Sequence, residues 1–149
     1  MPTPEARPAR ILLVDDNATD VALTRAALRA AKLAVELHSV SSGEAALAFL
    51  RREGDFAAAP APDLVLLDVR MPGISGIETL RVIKSDPKLR ELPVAMLTSS
   101  TLDEDVLRSY TENASAYMTK PIDIDSFRAV VQRLENFWFS VVVLPRGDD

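Results

Sequence analysis

Leu64-Val65-Leu66-Leu67-Asp68 is a run of four apolar residues that ends on a carboxylate. An apolar run of four that ends on a polar residue recurs in two other places. Ile11-Leu12-Leu13-Val14 runs into Asp15 and Asp16, and Val94-Ala95-Met96-Leu97 runs into Thr98. A strand with one wet face alternates apolar and polar residues. A continuous apolar run bounded by polar residues is instead expected of a strand covered on both faces, as in a parallel sheet. Val35 to Val40 alternates more and is expected at an edge, and Ala114 to Thr119 supplies a short fifth strand.

Helical patterns fill the intervals. Thr19 to Lys32 is rich in alanine, leucine and arginine, and Ser42-Gly43-Glu44 opens a second helix reaching about Glu53. Gly76 to Ser85 places Ile77, Leu80 and Ile83 on one stripe. Leu102 to Glu112 is a fourth helix with acids in its first turn, where the helix dipole favours them. A fifth, from Asp123 to about Phe139, spaces Phe127, Val130, Val131, Leu134 and Trp138 for one face. The prolines fall outside these helices, and Ala57 to Pro62 reads as a loop. Strand and helix thus alternate five times, which predicts an α/β fold: a five-stranded parallel sheet with helices on both faces.

The bulk properties agree and exclude several functions. The chain has 149 residues, the size of one domain, and 48% are hydrophobic, enough for a sizeable core. It has no cysteine, which removes disulfides, thiolate metal sites and cysteine nucleophiles. A net charge of −5 speaks against nucleic-acid binding, which calls for a basic footprint. No apolar run is long enough to span a bilayer, and Met1 to Arg10 lacks the apolar segment of a secretory signal, so a cytoplasmic location is expected. Residues 1–9, with three prolines and no periodicity, are expected to be a disordered lead-in.

Ligands of open α/β sheets bind at the carboxyl ends of the strands. Here those ends carry Asp15, Asp16, Asp68, Thr98 and Lys120. Three carboxylates at close range repel one another unless a cation neutralises them, and an oxygen-rich, partly hydrated site suits Mg²⁺. One carboxylate can then act as a nucleophile toward a phosphoryl group, with the cation, Lys120 and Thr98 holding the phosphoryl oxygens.

Four sequence pieces now carry a resemblance: Leu13-Val14-Asp15-Asp16, Leu67-Asp68-Val69-Arg70-Met71-Pro72-Gly73, Leu97-Thr98-Ser99 and Tyr117-Met118-Thr119-Lys120-Pro121. In this order, each at a predicted strand end, they resemble a response-regulator receiver domain of the CheY-like kind, over roughly residues 10–139. The resemblance implies a flavodoxin-like strand order 2-1-3-4-5. It implies Asp68 as phosphoacceptor, and Asp15, Asp16, Asp68 and the main-chain carbonyl of Arg70 around Mg²⁺. It further implies that Thr98 and Lys120 bind the phosphoryl group and that Tyr117 swings inward behind the threonine. Lys120-Pro121 matches a cis bond of the family. A phosphoryl group adds nearly two negative charges and three acceptor oxygens, so the surface of the fourth helix, fifth strand and fifth helix is expected to change shape.

The tail is a second signal. Phe137-Trp138-Phe139-Ser140-Val141-Val142-Val143-Leu144-Pro145 is apolar and β-branched, and it exceeds what a receiver core can cover. Residues 140–149 are expected to form an arm and tail. Phe137, Trp138, Phe139, Val141, Val143 and Leu144 would lie on a second copy near its fifth helix and fifth strand, giving a homodimer. The segment also resembles the tails of single-domain regulators that partner bacterial phytochromes. This implies a histidine kinase of phytochrome type as the phosphoryl donor, or as the partner that removes the group. No output domain is expected to follow.

Simpler readings stand beside these. Asp15 and Asp16 could cap the first helix, Thr98 could cap a strand end, Tyr117 could be core, and the tail could fold back on its own subunit. His38, the only histidine, is expected at the surface without a relay role. A phosphatase of the haloacid-dehalogenase type also uses an aspartate after a strand. It needs a second aspartate two residues on, where this chain has Arg70. Loss of an acidic residue of the site would favour a receiver that binds partners without phosphorylation, and none is lost.

Overall fold

The computed structural model describes residues 8–30, 35–99 and 114–133, the last three of these by backbone alone. Five strands form one sheet: β1 (Ala9–Val14), β2 (Val35–Val40), β3 (Leu64–Asp68), β4 (Val94–Thr98) and β5 (Ala116–Thr119). All neighbours are parallel, in the order β2-β1-β3-β4-β5. The helices are α1 (Ala18–Ala30), α2 (Gly43–Arg51), α3 (Gly76–Ser85) and α4 (Ile124–Arg133), with a 3₁₀ turn at Gly54–Phe56. The helix expected over 102–112 and the arm lie outside the described residues; α4 is the fifth helix of the sequence reading.

The continuous apolar runs occupy the central strands because both of their faces are covered. Every residue of Ile11–Val14, Leu64–Leu67 and Val94–Leu97 is fully buried. Ile11, Leu13, Leu64, Leu66, Ala95 and Leu97 share one cluster with Leu28 of α1 and Phe127 and Val130 of α4. Leu12, Val14, Val65, Leu67, Val94 and Met96 share the other with Ala46 and Phe49 of α2 and Leu80 and Ile83 of α3. Each of these valine, leucine, isoleucine, methionine and phenylalanine side chains stabilises the fold by about 1.5–3 kcal/mol, so successive residues of one strand anchor opposite helical layers. Val35–Val40 forms an edge strand; Glu36 and Ser39 are exposed and its other residues half-buried.

Several boundaries shift. β1 begins at Ala9, inside the expected lead-in, because Ala9 pairs with Val35 and is buried. α2 stops at Arg51, two residues early. Arg52 takes the left-handed conformation (φ 56°), and the N–H groups of Arg52 and Glu53 close on Phe49 O and Ala48 O. β5 starts at Ala116 rather than Ala114. Asp123 stands just outside α4 as its cap: it accepts from Ser126 N at 2.7 Å and Ser126 Oγ at 2.9 Å. Those bonds hold its carboxyl below the usual range. The Lys120-Pro121 peptide is cis.

Register positions the strand ends. Val14 faces Leu67 and Asp68 faces Leu97, so Asp15 and Asp68 emerge side by side at the carboxyl edge. Thr98 faces Thr119, and Lys120 N donates to Thr98 O at 2.7 Å, bringing the lysine to that edge.

Candidate functional site

Asp15, Asp16 and Asp68 each offer a carboxylate oxygen, and these oxygens lie within 4.8 Å of one another. Asp15 and Asp68 are buried, whereas Asp16 is exposed. A cavity of about 430 Å³ opens beside Asp15 and Asp16 between the ends of β1 and β2, with Ser39, Ser41 and Phe56 in its wall. Hard oxygen donors gathered at a solvent-accessible edge fit a divalent cation that keeps some of its water.

Lys120 reaches into this cluster. Its Nζ lies 3.3 Å from Asp68 Oδ2, 3.1 Å from Asp15 Oδ2 and 2.8 Å from Asp20 Oδ2. Burial alone would push the ammonium down, but the carboxylates of Asp20, Asp15 and Asp68 outweigh it and hold Lys120 charged above its ordinary range. Asp68 shows the converse. Burial pushes its carboxyl up, Lys120 pulls it down and Asp15 pushes it up again, for a net rise. The Arg70 N–H also donates to Asp68 and lowers it.

The loop after Asp68 is built for close approach. A Cβ on Gly76 would stand 2.1 Å from the Asp68 carbonyl oxygen, so only glycine lets α3 start this near β3. Gly76 N donates to Val69 O at 2.9 Å, and Val69 N donates to Leu97 O at 3.0 Å. Gly73 has φ +80°, and a Cβ there would meet Glu44 Oε2 at 2.7 Å. Glu44, at the start of α2, accepts from Ile74 N at 3.3 Å and ties down this loop. Ser75 then caps α3 in a reciprocal box with Glu78.

The remaining expected residues fall around this core. Thr98 is buried at the end of β4, one residue beyond the partner of Asp68. Tyr117 is half-buried and packs against the cluster under α2 and α3. Arg70 is exposed two residues beyond Asp68. His38 is half-buried outside the site, 2.6 Å from Glu36 Oε2 and 5.6 Å from the Phe49 ring. Phe137, Trp138, Phe139, Val141, Val143 and Leu144 lie outside the described residues. No helix among the described residues is long and apolar enough to cross a membrane.

Asp20 is the participant that sequence reasoning missed. The available signal was Asn17-x-x-Asp20 directly after the carboxylate pair. Asn17 Oδ1 accepts from Asp20 N at 3.0 Å and caps α1, which fixes Asp20 in the first turn beside the strand ends.

Comparison with known proteins agrees with this geometry. The family pattern of the response regulator receiver domain matches residues 11–132. Response regulator Rcp1 of Synechocystis sp. is 38% identical over 138 residues, covering 93% of this chain and 94% of its own length. The solved Mn²⁺-bound form of Rcp1 aligns with a TM-score of 0.70 at 38% identity, over 93% of this chain and 100% of that one. The bacteriophytochrome response regulator RtBRR aligns at 40% identity with a TM-score of 0.81, over 94% of this chain and 85% of that one. The phosphorylated cyanobacterial phytochrome response regulator RcpA gives 0.71 at 38% identity, over 93% and 99%. Fold, strand-end acids and these relatives agree: the chain belongs to the response regulator receiver domain family of two-component signalling.

Proposed function

We propose that this protein takes a phosphoryl group on Asp68 from a histidine kinase of phytochrome type, with Mg²⁺ bound by Asp15, Asp16, Asp68 and the main-chain carbonyl of Arg70. The observation that carries this reading is the cluster of three carboxylates within 4.8 Å, with the Lys120 ammonium 3.3 Å from Asp68. In the transfer, an Asp68 oxygen forms a bond to phosphorus. The bond from phosphorus to the donor nitrogen breaks, and its electron pair returns to the donor imidazole. The cation, when bound, offsets the negative charge that gathers on the phosphoryl oxygens. Lys120 supplies a further donor, and Thr98 a hydroxyl, to those oxygens. Tyr117 then fills the space Thr98 leaves, and the face around β5 and α4 changes its packing.

The phytochrome assignment draws on the names of the relatives and on the tail segment. The chemistry is that of a phosphoacceptor rather than of a turnover enzyme, since Arg70 stands where a dehalogenase-type phosphatase needs its acid. On sequence grounds the receiver extends through 139, and residues 140–149 continue as an arm and tail. The homodimer formed through that arm, α4 and β5 belongs to the same proposal.

Incubation with acetyl phosphate and Mg²⁺, read by intact mass, tests the site. The expected gain is one phosphoryl group, abolished by chelator and by Asp68→Asn. Unlabelled wild type under conditions that label a related receiver would remove the proposal, and labelling of Asp68→Asn would relocate the acceptor.

A further inference from the structure

The three carboxylates compete for one ammonium, and the shortest of the three contacts belongs to Asp20, at 2.8 Å, against 3.1 Å for Asp15 and 3.3 Å for Asp68. Asp20 differs from the others in its placement. It comes from the first turn of α1 rather than from a strand end, and it stands outside the group of oxygens gathered within 4.8 Å. Asp15 and Asp68 are the two buried acids of the proposed metal site, and Lys120 touches both. An ammonium settled on those two would repel an incoming divalent cation and occupy its ligand oxygens.

We infer that Asp20 is a positioning residue: by taking the shortest of the three Lys120 contacts it draws the ammonium toward α1 and weakens its grip on Asp15 and Asp68, so that a divalent cation can displace it there before the phosphoryl group arrives. The inference rests on the metal-site reading above and deepens it. The Lys120 side chain is 13% exposed, so its three donors must find partners within the site. Asp20, with a side chain 30% exposed, can keep one donor without surrendering its own access to water. Without Asp20, that donor turns to the metal-binding acids. Asp20 is also anchored independently of Lys120, because its N–H is held by Asn17 Oδ1 and Asn17 N in turn donates to Asp15 Oδ1 at 2.9 Å. The cap of α1 and the first metal-site acid are thus one connected piece.

A double-mutant cycle on Mn²⁺ affinity, measured by calorimetry on the full chain without any phosphoryl donor, separates this role from a bulk charge effect. Asp20→Asn keeps the shape and the capping N–H. It is expected to weaken Mn²⁺ binding about fivefold where Lys120 is present, the scale of coupling between partly buried charges. In a Lys120→Met background the same change is expected to cost less than about twofold, because no ammonium remains to be released onto the ligands. Equal losses in the two backgrounds would show that Asp20 acts only through its own charge, and an unchanged affinity in Asp20→Asn would show that it does nothing for the cation; either overturns the inference. Failure of the wild type to bind Mn²⁺ would overturn the metal-site reading itself. Circular dichroism of each variant, and recovery of affinity in Asp20→Glu, distinguish lost positioning from a frayed α1.

Discussion

Replacing Asp68 by Asn should stabilise the metal-free protein, although it removes the group on which the proposed chemistry depends. Lys120 Nζ lies 3.3 Å from Asp68 Oδ2, an attraction of about 5 kcal/mol at an effective dielectric near 20. Against it stand Asp15 and Asp16, whose carboxylate oxygens lie within 4.8 Å of one on Asp68. At that separation each repulsion is about 3.5 kcal/mol on the same scale. Asp16 is exposed, so water and salt reduce its share to about half. Attraction and repulsion therefore nearly cancel, and desolvation decides the sign. The Asp68 side chain is only 9% exposed, and burial is the largest influence on its raised pKa. Asn has the same shape and no charge to desolvate, and Lys120 keeps Asp15 and Asp20 as partners. The expected gain is about 1 kcal/mol in chelator, a usual size when a functional site is relieved. Mg²⁺ should reverse the order. At a hundred times its dissociation constant it stabilises the wild type by about 2.7 kcal/mol, while a variant lacking one ligand gains little. Urea unfolding followed by circular dichroism, with and without Mg²⁺ and at unchanged m, measures both effects. A variant less stable than wild type in chelator would show that the acid cluster is not strained, and an equal Mg²⁺ gain in both proteins would place the cation elsewhere.

The raised pKa of Asp68 also predicts a pH slope. The folded state binds more protons than the unfolded one between the unperturbed value of 3.8 and the raised value, so metal-free stability should fall as pH rises through that window. Asp68→Asn should lack this component, and identical pH profiles would contradict it. Gly76→Ala sets helix propensity, which favours alanine by about 1 kcal/mol, against a clash with the Asp68 backbone at 2.1 Å. Backbone atoms cannot rotate aside and overpacking costs about 1–3 kcal/mol, so the urea midpoint should drop and phosphorylation slow; a raised midpoint would contradict the clash. Ser75→Ala removes the α3 cap and should cost about 1 kcal/mol in the same assay, with a loss below a few tenths counting against the cap. Truncation after Asn136 should weaken self-association in light scattering, whereas an unchanged dimer would set aside the arm.

The sheet was legible because its central strands obey one constraint strictly. A strand buried on both faces must be apolar at every position, and Ile11–Val14, Leu64–Leu67 and Val94–Leu97 meet that demand with full burial. The errors came where hydrophobic patterning is silent. Ala9 is nearly as well buried as Ile11–Val14, but a lone alanine between an exposed proline and a half-buried arginine carries no strand signal. Arg52 ends α2 by adopting φ 56°, a backbone choice that arginine does not announce. Gly54, two residues later, was the visible hint that the helix could not continue.

The site divided along a similar line. Asp15, Asp68, Thr98 and Lys120 were readable because each sits at or just past the end of an apolar run, and parallel register carries all such ends to one edge. Asp20 was not readable in that way, since an acid in the first turn of a helix already has a sufficient reason in the dipole. Only the three-dimensional fact that α1 starts two residues past the carboxylate pair gives it a second use. The two uses reinforce each other. A cap that fixes the first turn of α1 also fixes where the Asp20 carboxylate waits for Lys120, so the local stability of that turn and the charge balance of the acid cluster are set by the same few residues. Substitutions of the Asn17 side chain should therefore reach metal affinity without replacing any proposed ligand and with the Asn17 N–H to Asp15 retained, by loosening the position from which Asp20 holds the lysine.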